Sequence, residues 1–198
     1  MKSHIRDHFR RVDPVLYKVI KQVKFLEDIT PRQPRDYFTS LCRELISQQL
    51  ATAAANAIHK RFLNLFATGR PSVKLLAFIP EKELREAGMS WVKARYIKDM
   101  AQKLSIKEVR LSMLPMLSDE EVIVELTKIK GVGRWTAEMF LIFSLGRPDV
   151  FSFGDLGLKR AMQKLYGMSS FSMEQAMPIV SSWSPYRSFA SRILWKAL

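Results

Sequence analysis

Apolar residues recur along this chain at three- and four-residue spacing, the period of a helix buried on one face. Asp13-Pro14 opens the first clear stretch, Asp as cap and Pro at the first helical position, and VLYKVIKQVKFL carries it on. The preceding MKSHIRDHFRR predicts a loose, charged terminus. Thr30-Pro31-Arg32-Gln33-Pro34 reads as a loop punctuated by two prolines. A helix is predicted over 34–47, with Leu41, Leu45 and Ile46 on one stripe. Ser47-Gln48-Gln49-Leu50 interrupts the pattern, which resumes over 51–66. Short helices are expected over 72–78 and 80–87, the second ended by Gly88, and a longer one over 90–104 with Trp91, Ala94, Ile97 and Leu104 inward. Ser118 and Glu121 stand at capping-box spacing before the next helix. After Gly131-Val132-Gly133 the chain is almost continuously apolar over 134–145, as a buried helix is. Asp155 caps a helix reaching about Tyr166, and two more fit 172–181 and 185–197. No alternating strand pattern, internal repeat or low-complexity tract is present, so the expected fold is all-α.

Charge narrows the range of partners. The 198 residues carry 32 Lys and Arg against 19 Asp and Glu, a net charge of +13. A surplus of that size favours a polyanion. The basic residues are dispersed and form no polybasic block, which favours nucleic acid over an anionic membrane surface. The longest apolar run, Met139 to Phe143, falls far short of the ~20 residues that span a bilayer. The first residues do not form a secretory signal. A soluble, cytoplasmic protein with no membrane partner is expected, nucleoid-associated if its source is bacterial. The lone Cys42 excludes an intramolecular disulfide and any Cys-only metal cluster. His4, His8 and His59 show no zinc-ligand spacing, and His4 and His8 are expected to be solvated.

The segment with the most chemistry runs from Leu126 through Gly131-Val132-Gly133 to Ala137. A helix, a tight glycine turn and a second helix make a helix-hairpin-helix over about 118–145. Backbone N–H groups and the dipole at the start of the second helix suit a phosphate. Such a contact positions DNA without reading its sequence. A lone Gly-x-Gly, by contrast, fits an ordinary corner between helices. Asp155 follows 22 positions after Gly133, so a buried helix of ~12 residues and a loop return the chain towards the hairpin. Asp is also a preferred N-cap, and Asp149 is a rival carboxylate. The residues alone leave the choice between the two acids open.

Four segments in order carry a family resemblance: Ile46-Ser-Gln-Gln-Leu50, Lys130-Gly-Val-Gly-Arg-Trp-Thr-Ala137, Asp149-Val-Phe with Gly154-Asp-Leu-Gly157, and Trp183-Ser-Pro-Tyr-Arg-Ser-Phe-Ala190 with Trp195. From about Tyr37 to the C terminus the chain resembles the helix-hairpin-helix (HhH-GPD) superfamily of DNA glycosylases. It is most similar to the DNA-3-methyladenine glycosylase II branch. The resemblance implies two helical lobes with a DNA-binding cleft, 1–35 with 151–198 and 36–150, and no N-terminal α/β domain. It implies a monomer that excises alkylated purines from duplex DNA by base flipping and leaves an abasic site.

The resemblance also assigns residues. Asp155 is the catalytic carboxylate. Trp135 and Trp195 line the base pocket, and Tyr37, Phe38 and Trp183 are weaker candidates for it, with a structural role as the alternative. A core role competes with the pocket role at Trp195. Gln49 is the wedge that fills the hole left by the flipped base, and Leu50 is its neighbouring alternative. Gln48 is expected to cap its own helix. Gly131, Val132, Gly133, Arg134 and Thr136 hold the DNA backbone. Backbone carbonyls of Thr127, Ile129 and Val132 match a K+ or Na+ site, no cofactor is required, and one cysteine cannot ligate an iron–sulfur cluster. Trp135 stands where bifunctional relatives carry a Lys, and an indole forms no Schiff base. No strand-cleaving lyase activity is therefore expected. Ser152 stands where the family often has a proline, which predicts a less restricted loop before Asp155. Excision of hypoxanthine or an oxidised purine, and DNA binding without catalysis, are the alternatives.

Overall fold

The computed structural model describes residues 3–22 and 37–197, and among them there is helix and turn but no strand. Helices α1 (Ser3–Val12) and α2 (Pro14–Gln22) come first. Next are α3 (Tyr37–Ser47), α4 (Thr52–Asn64), α5 (Val73–Phe78), α6 (Glu81–Glu86) and α7 (Trp91–Ser105). A 3-10 turn (Leu111–Met116) precedes α8 (Asp119–Thr127) and α9 (Arg134–Phe143). The chain closes with α10 (Leu156–Tyr166), α11 (Met173–Ser182) and α12 (Arg187–Ala197). The expected loop at Thr30–Pro34 and the start of the 34–47 helix lie outside the described residues.

Side-chain caps explain several of the helix starts. Ser72 and Ser90 each accept from a backbone N–H three residues on, and Ser118 and Glu121 complete a reciprocal capping box. Each cap is worth about 1 kcal/mol because it satisfies an amide the helix leaves open. No described helix is long and apolar enough to cross a membrane.

By internal contacts the chain divides into two units, Met1–Pro31 with Leu141–Leu198, and Arg32–Phe140. In the first, α2, α10 and α12 pack on one another around Phe9, Leu16, Leu158, Trp183 and Leu194. Asp13 ties this unit together. It caps α2 through Leu16 N–H and accepts hydrogen bonds from the Trp183 indole and the Tyr166 hydroxyl. Burial and the neighbouring Asp13 carboxylate push the Tyr166 phenol well above its usual pKa. In the second unit α7 is central and packs against α3, α5 and α6, with Leu41, Phe62, Leu84, Ile97 and Met100 buried.

Three local expectations are overturned. The N-terminal segment is the helix α1, because Ile5 and Phe9 recur at helical spacing and are buried. His8 lies edge-on to Tyr186 at 5.1 Å and is not solvated as expected. Trp91, predicted inward, is half-exposed with the Arg85 guanidinium over its ring, since it opens α7 at the rim. The 3-10 turn was not predicted, since Pro115 inside a short apolar run gives no helical period.

Candidate active site

The hairpin turn rests on a ring. Gly131 has φ +83°, and a Cβ there would lie 2.1 Å from Cδ2 of Tyr96. Only glycine fits both the left-handed backbone and the contact. Gly133 is exposed, and a Cβ there would meet nothing within 4 Å. It precedes α9, whose first-turn amides point outward by helical geometry. The Val132 side chain is buried and its N–H donates to the Ile129 carbonyl.

The turn after α3 is built against this hairpin. Gln48 donates from its side-chain amide to the Gly131 carbonyl at 2.9 Å and to Thr136 Oγ1 at 3.3 Å. It bridges the two segments and does not cap its own helix, which corrects the expectation for Gln48. Lys93 donates its ammonium to the carbonyls of Ile46 and Gln48, and burial lowers its pKa. Between these anchors Gln49 adopts φ +56° with its side chain exposed, beside exposed Leu50. A non-glycine residue held in that conformation costs about 1 kcal/mol or more and needs such fixing. Trp135, 42% exposed, lines the same opening of about 570 Å³ together with Glu44, Ser47, Gln48, Gln49, Leu50 and Thr136.

Two of the expected DNA-backbone contacts have other employment. The Arg134 guanidinium pairs with Glu120 through two nitrogens and with Glu138, so its charge is spent along the helix surface. Thr136 is buried and accepts from Gln48. Tyr37 and Phe38 are buried side chains of the second unit, Tyr37 edge-on to Phe140 at 5.4 Å, and neither lines the opening.

In the first unit, Asp155 caps α10. Its Oδ1 accepts from Leu158 N–H at 2.7 Å and from the Trp195 indole N–H at 3.0 Å, and the residue is 8% exposed. Gly157 makes room for this arrangement, because a Cβ there would lie 3.2 Å from the Trp195 ring. Trp195 also stacks on half-exposed Phe143, centroids 5.7 Å apart. The turn before Asp155 is closed by its N–H donating to the carbonyl of fully buried Ser152, so serine in the family's proline position sits in a fixed turn. Trp183 belongs to the core.

The rival acid is committed elsewhere. Asp149 accepts two bonds from the Arg187 guanidinium, one from Arg187 N–H and one from Ser184. Burial works against its charge, but the Arg187 and Ser184 bonds outweigh it and hold the carboxyl below the usual range. Sequence reasoning missed Lys93, Tyr96 and Glu44. Lys93 and Tyr96 act across tens of residues and leave no local signal, whereas Glu44 stands one helical turn before Gln48 and was legible by spacing.

Residues 42–185 match the family described as HhH-GPD superfamily base excision DNA repair protein. The putative DNA-3-methyladenine glycosylase YfjP of Bacillus subtilis is 29% identical over 205 residues, covering 99% of this chain and 69% of the relative. A crystal structure of DNA-3-methyladenine glycosidase from Bacillus halodurans superposes with TM-score 0.84 at 33% identity, covering 99% of this chain and 89% of that one. Schizosaccharomyces pombe 3-methyladenine DNA glycosylase (Mag1), in complex with abasic DNA, gives TM-score 0.81 at 30% identity and covers 98% of this chain and 96% of that one.

Proposed function

The chain belongs to the HhH-GPD superfamily of base excision DNA repair proteins, and we propose that it hydrolyses the N-glycosidic bond of alkylated purines in duplex DNA. The relatives named 3-methyladenine glycosylases support this reading. The observation that carries it is the Asp155 carboxylate, buried yet supplied with an indole N–H and a backbone N–H.

Breaking the bond builds positive charge on the deoxyribose, as in other oxocarbenium-like reactions. In the proposed reaction Asp155 stabilises that charge and orients the attacking water. Its two donors fix the carboxylate, so little reorganisation is needed when the charge develops. A purine alkylated at N3 or N7 is cationic and leaves as a neutral base, which removes most of the demand for a general acid. Trp135 presents a π face suited to a cation and replaces the stacking lost on flipping. An indole in that position supports hydrolysis without strand cleavage.

Gln49, with Leu50 beside it, enters the vacated stack. The exposed Gly133 amide and the start of α9 meet a phosphate, and the net charge of +13 supplies the unspecific attraction. At the hairpin, the Thr127 hydroxyl donates back to the Ile123 carbonyl, so the candidate ligands are the neutral carbonyls of Thr127, Ile129 and Val132. That donor set fits K+ or Na+ better than a divalent ion, and such an ion would add positive charge facing the DNA backbone. The protein works as a monomer in the cytoplasm, with no other cofactor.

The test is incubation with methylated duplex DNA followed by chromatography of the freed bases. Release of 3-methyladenine and 7-methylguanine by the wild type and not by Asp155→Asn is expected. Binding that survives Asp155→Asn with no base released by the wild type would leave a DNA-binding protein without catalysis.

A further inference from the structure

Lys93, Tyr96, Asp99 and Lys103 recur along α7 at three- and four-residue spacing and so share one face of the helix. Lys93 serves the wedge turn, and the other three serve the hairpin. The Tyr96 ring backs Gly131. Asp99 Oδ2 accepts from the backbone N–H of Lys130 at 2.9 Å, and its Oδ1 lies 3.7 Å from the Lys130 ammonium. Lys103 donates its ammonium to the carbonyl of Lys128 at the end of α8, and stands 3.9 Å from Asp99 and 3.4 Å from Glu108. All of these residues belong to the second unit. The Asp99 side chain is only 13% exposed. A carboxylate so covered is stable only with hydrogen-bond and charge partners, and the amide it holds is the one that leads into the glycine turn.

We propose that Asp99 is a positioning residue for duplex DNA: by holding Lys130 N–H it fixes the Gly131-Val132-Gly133 turn in the form that meets a phosphate. The inference rests on the role given to the hairpin in the proposed function and deepens it. Glycine has more backbone freedom than any other residue, so a turn with two of them depends on its flanks to stay in one form. The positive φ of Gly131 begins one residue after the anchored amide. Asp99 acts through that turn and does not itself touch DNA. On electrostatic grounds alone, removing a carboxylate tightens the binding of a polyanion. The positioning role predicts the opposite sign once the acceptor is lost. A phosphate contact is made alike with the bound substrate and with the transition state, so weakening it raises KM and leaves kcat nearly unchanged. A merely structural role would lower the active fraction, and with it the apparent kcat, without moving KM.

The experiment compares wild type with Asp99→Asn, Asp99→Gln and Asp99→Ala in binding titrations on an undamaged and an abasic duplex, and in base release from methylated duplex DNA. All three variants remove the same charge. Asn keeps an acceptor in reach of Lys130 N–H, Gln carries its carbonyl one methylene further out, and Ala has none. Asp99→Gln and Asp99→Ala are expected to raise the dissociation constant for both duplexes about five- to tenfold, a change typical of losing one hydrogen bond to a charged group. KM for base release should rise in step, with kcat within about a factor of two. Asp99→Asn is expected to bind as tightly as wild type or tighter. Wild-type or tighter binding by Asp99→Gln and Asp99→Ala, or an equal loss in all three variants, overturns the role of Asp99 and leaves the excision reading intact. Should Asp99→Ala not fold, the comparison of Asn with Gln decides in the same way. The expected binding pattern without base release by the wild type supports the role of Asp99 and overturns the excision reading alone. A wild type that binds neither duplex overturns both.

Discussion

The Trp195 indole N–H donates to Asp155 Oδ1 at 3.0 Å, so an aromatic residue expected as pocket lining or as core holds the candidate catalytic carboxylate. Trp195→Phe keeps the stack on Phe143 and removes the donor. A hydrogen bond to a charged group is worth about 1.5–3 kcal/mol. Base release is therefore expected to slow by roughly tenfold or more, with folding stability lowered by about 1–3 kcal/mol, so rates are compared well below the unfolding transition. Equal rates for the two proteins would show that the indole N–H has no part in orienting Asp155.

Asp155 and Asp149 are expected to separate cleanly. Asn is nearly as good an N-cap as Asp, so Asp155→Asn should melt close to wild type while losing about 10²–10³-fold or more in base release. Asp149→Asn breaks the pairing with Arg187 and should destabilise by about 1–3 kcal/mol with base release largely kept. Because the folded pKa of Asp149 is depressed, its stabilisation is present above its unfolded pKa near 3.8 and is lost as pH falls below that. Urea titrations at pH 7 and pH 3 check this: the gap between wild type and Asp149→Asn should be wide at pH 7 and narrow at pH 3.

The two hairpin glycines predict opposite outcomes. Gly131→Ala drives a methyl into the Tyr96 ring at positive φ and should cost about 2–4 kcal/mol of stability. Gly133→Ala meets no atom within 4 Å and should fold normally. Its methyl stands instead where a phosphate approaches, so the dissociation constant for duplex DNA should rise several-fold. Calorimetry and a DNA-binding titration on both variants give the comparison.

The helices were legible where a cap and a period agreed. Ser118 with Glu121, Ser90 and Asp155 each mark a helix start, because an N-cap side chain satisfies amides within three residues. The hairpin was legible because its glycines stand together. Contacts that join distant segments were not. Lys93 reaches carbonyls more than forty residues away, and the Arg134 pairing with Glu120 spans a helix and a turn. No local pattern encodes either, so Arg134 read as a phosphate ligand and Lys93 was passed over. Asp149 and Asp155 were indistinguishable in sequence because their difference lies in partners, Arg187 for one and Trp195 for the other.

His59 predicts an acid-sensitive fold. Its Nε2 is buried without a hydrogen-bond partner among the described residues. Burial first, and the nearby Arg43 charge second, lower its pKa from 6.5. A histidine depressed in the folded state binds its proton more readily when unfolded. Stability is therefore unaffected above pH 6.5 and falls as pH drops below it. His59→Leu should flatten the stability profile between pH 7 and pH 5, measured by urea unfolding. A wild-type profile that is already flat across that interval would contradict the assignment.

Lys93 predicts a defect in base flipping with the chemistry left intact. Its ammonium is shared by the carbonyls of Ile46 and Gln48, which flank the turn that presents Gln49. A cation on the last carbonyls of a helix is favourable by itself, and here it also holds the residue after α3 in place. Lys93→Met preserves most of the packing of the side-chain stem and deletes both bonds. The strained φ of Gln49 then loses one of its two anchors, and Gln48 alone ties the turn to Gly131. Affinity for duplex DNA containing an abasic site is expected to fall about tenfold. The fluorescence rise of a 2-aminopurine placed beside a lesion, which reports unstacking, should weaken. Lys93→Arg, which can donate to both carbonyls, should restore most of each signal. A loss of stability with normal fluorescence would mean that Lys93 supports the fold without positioning the wedge.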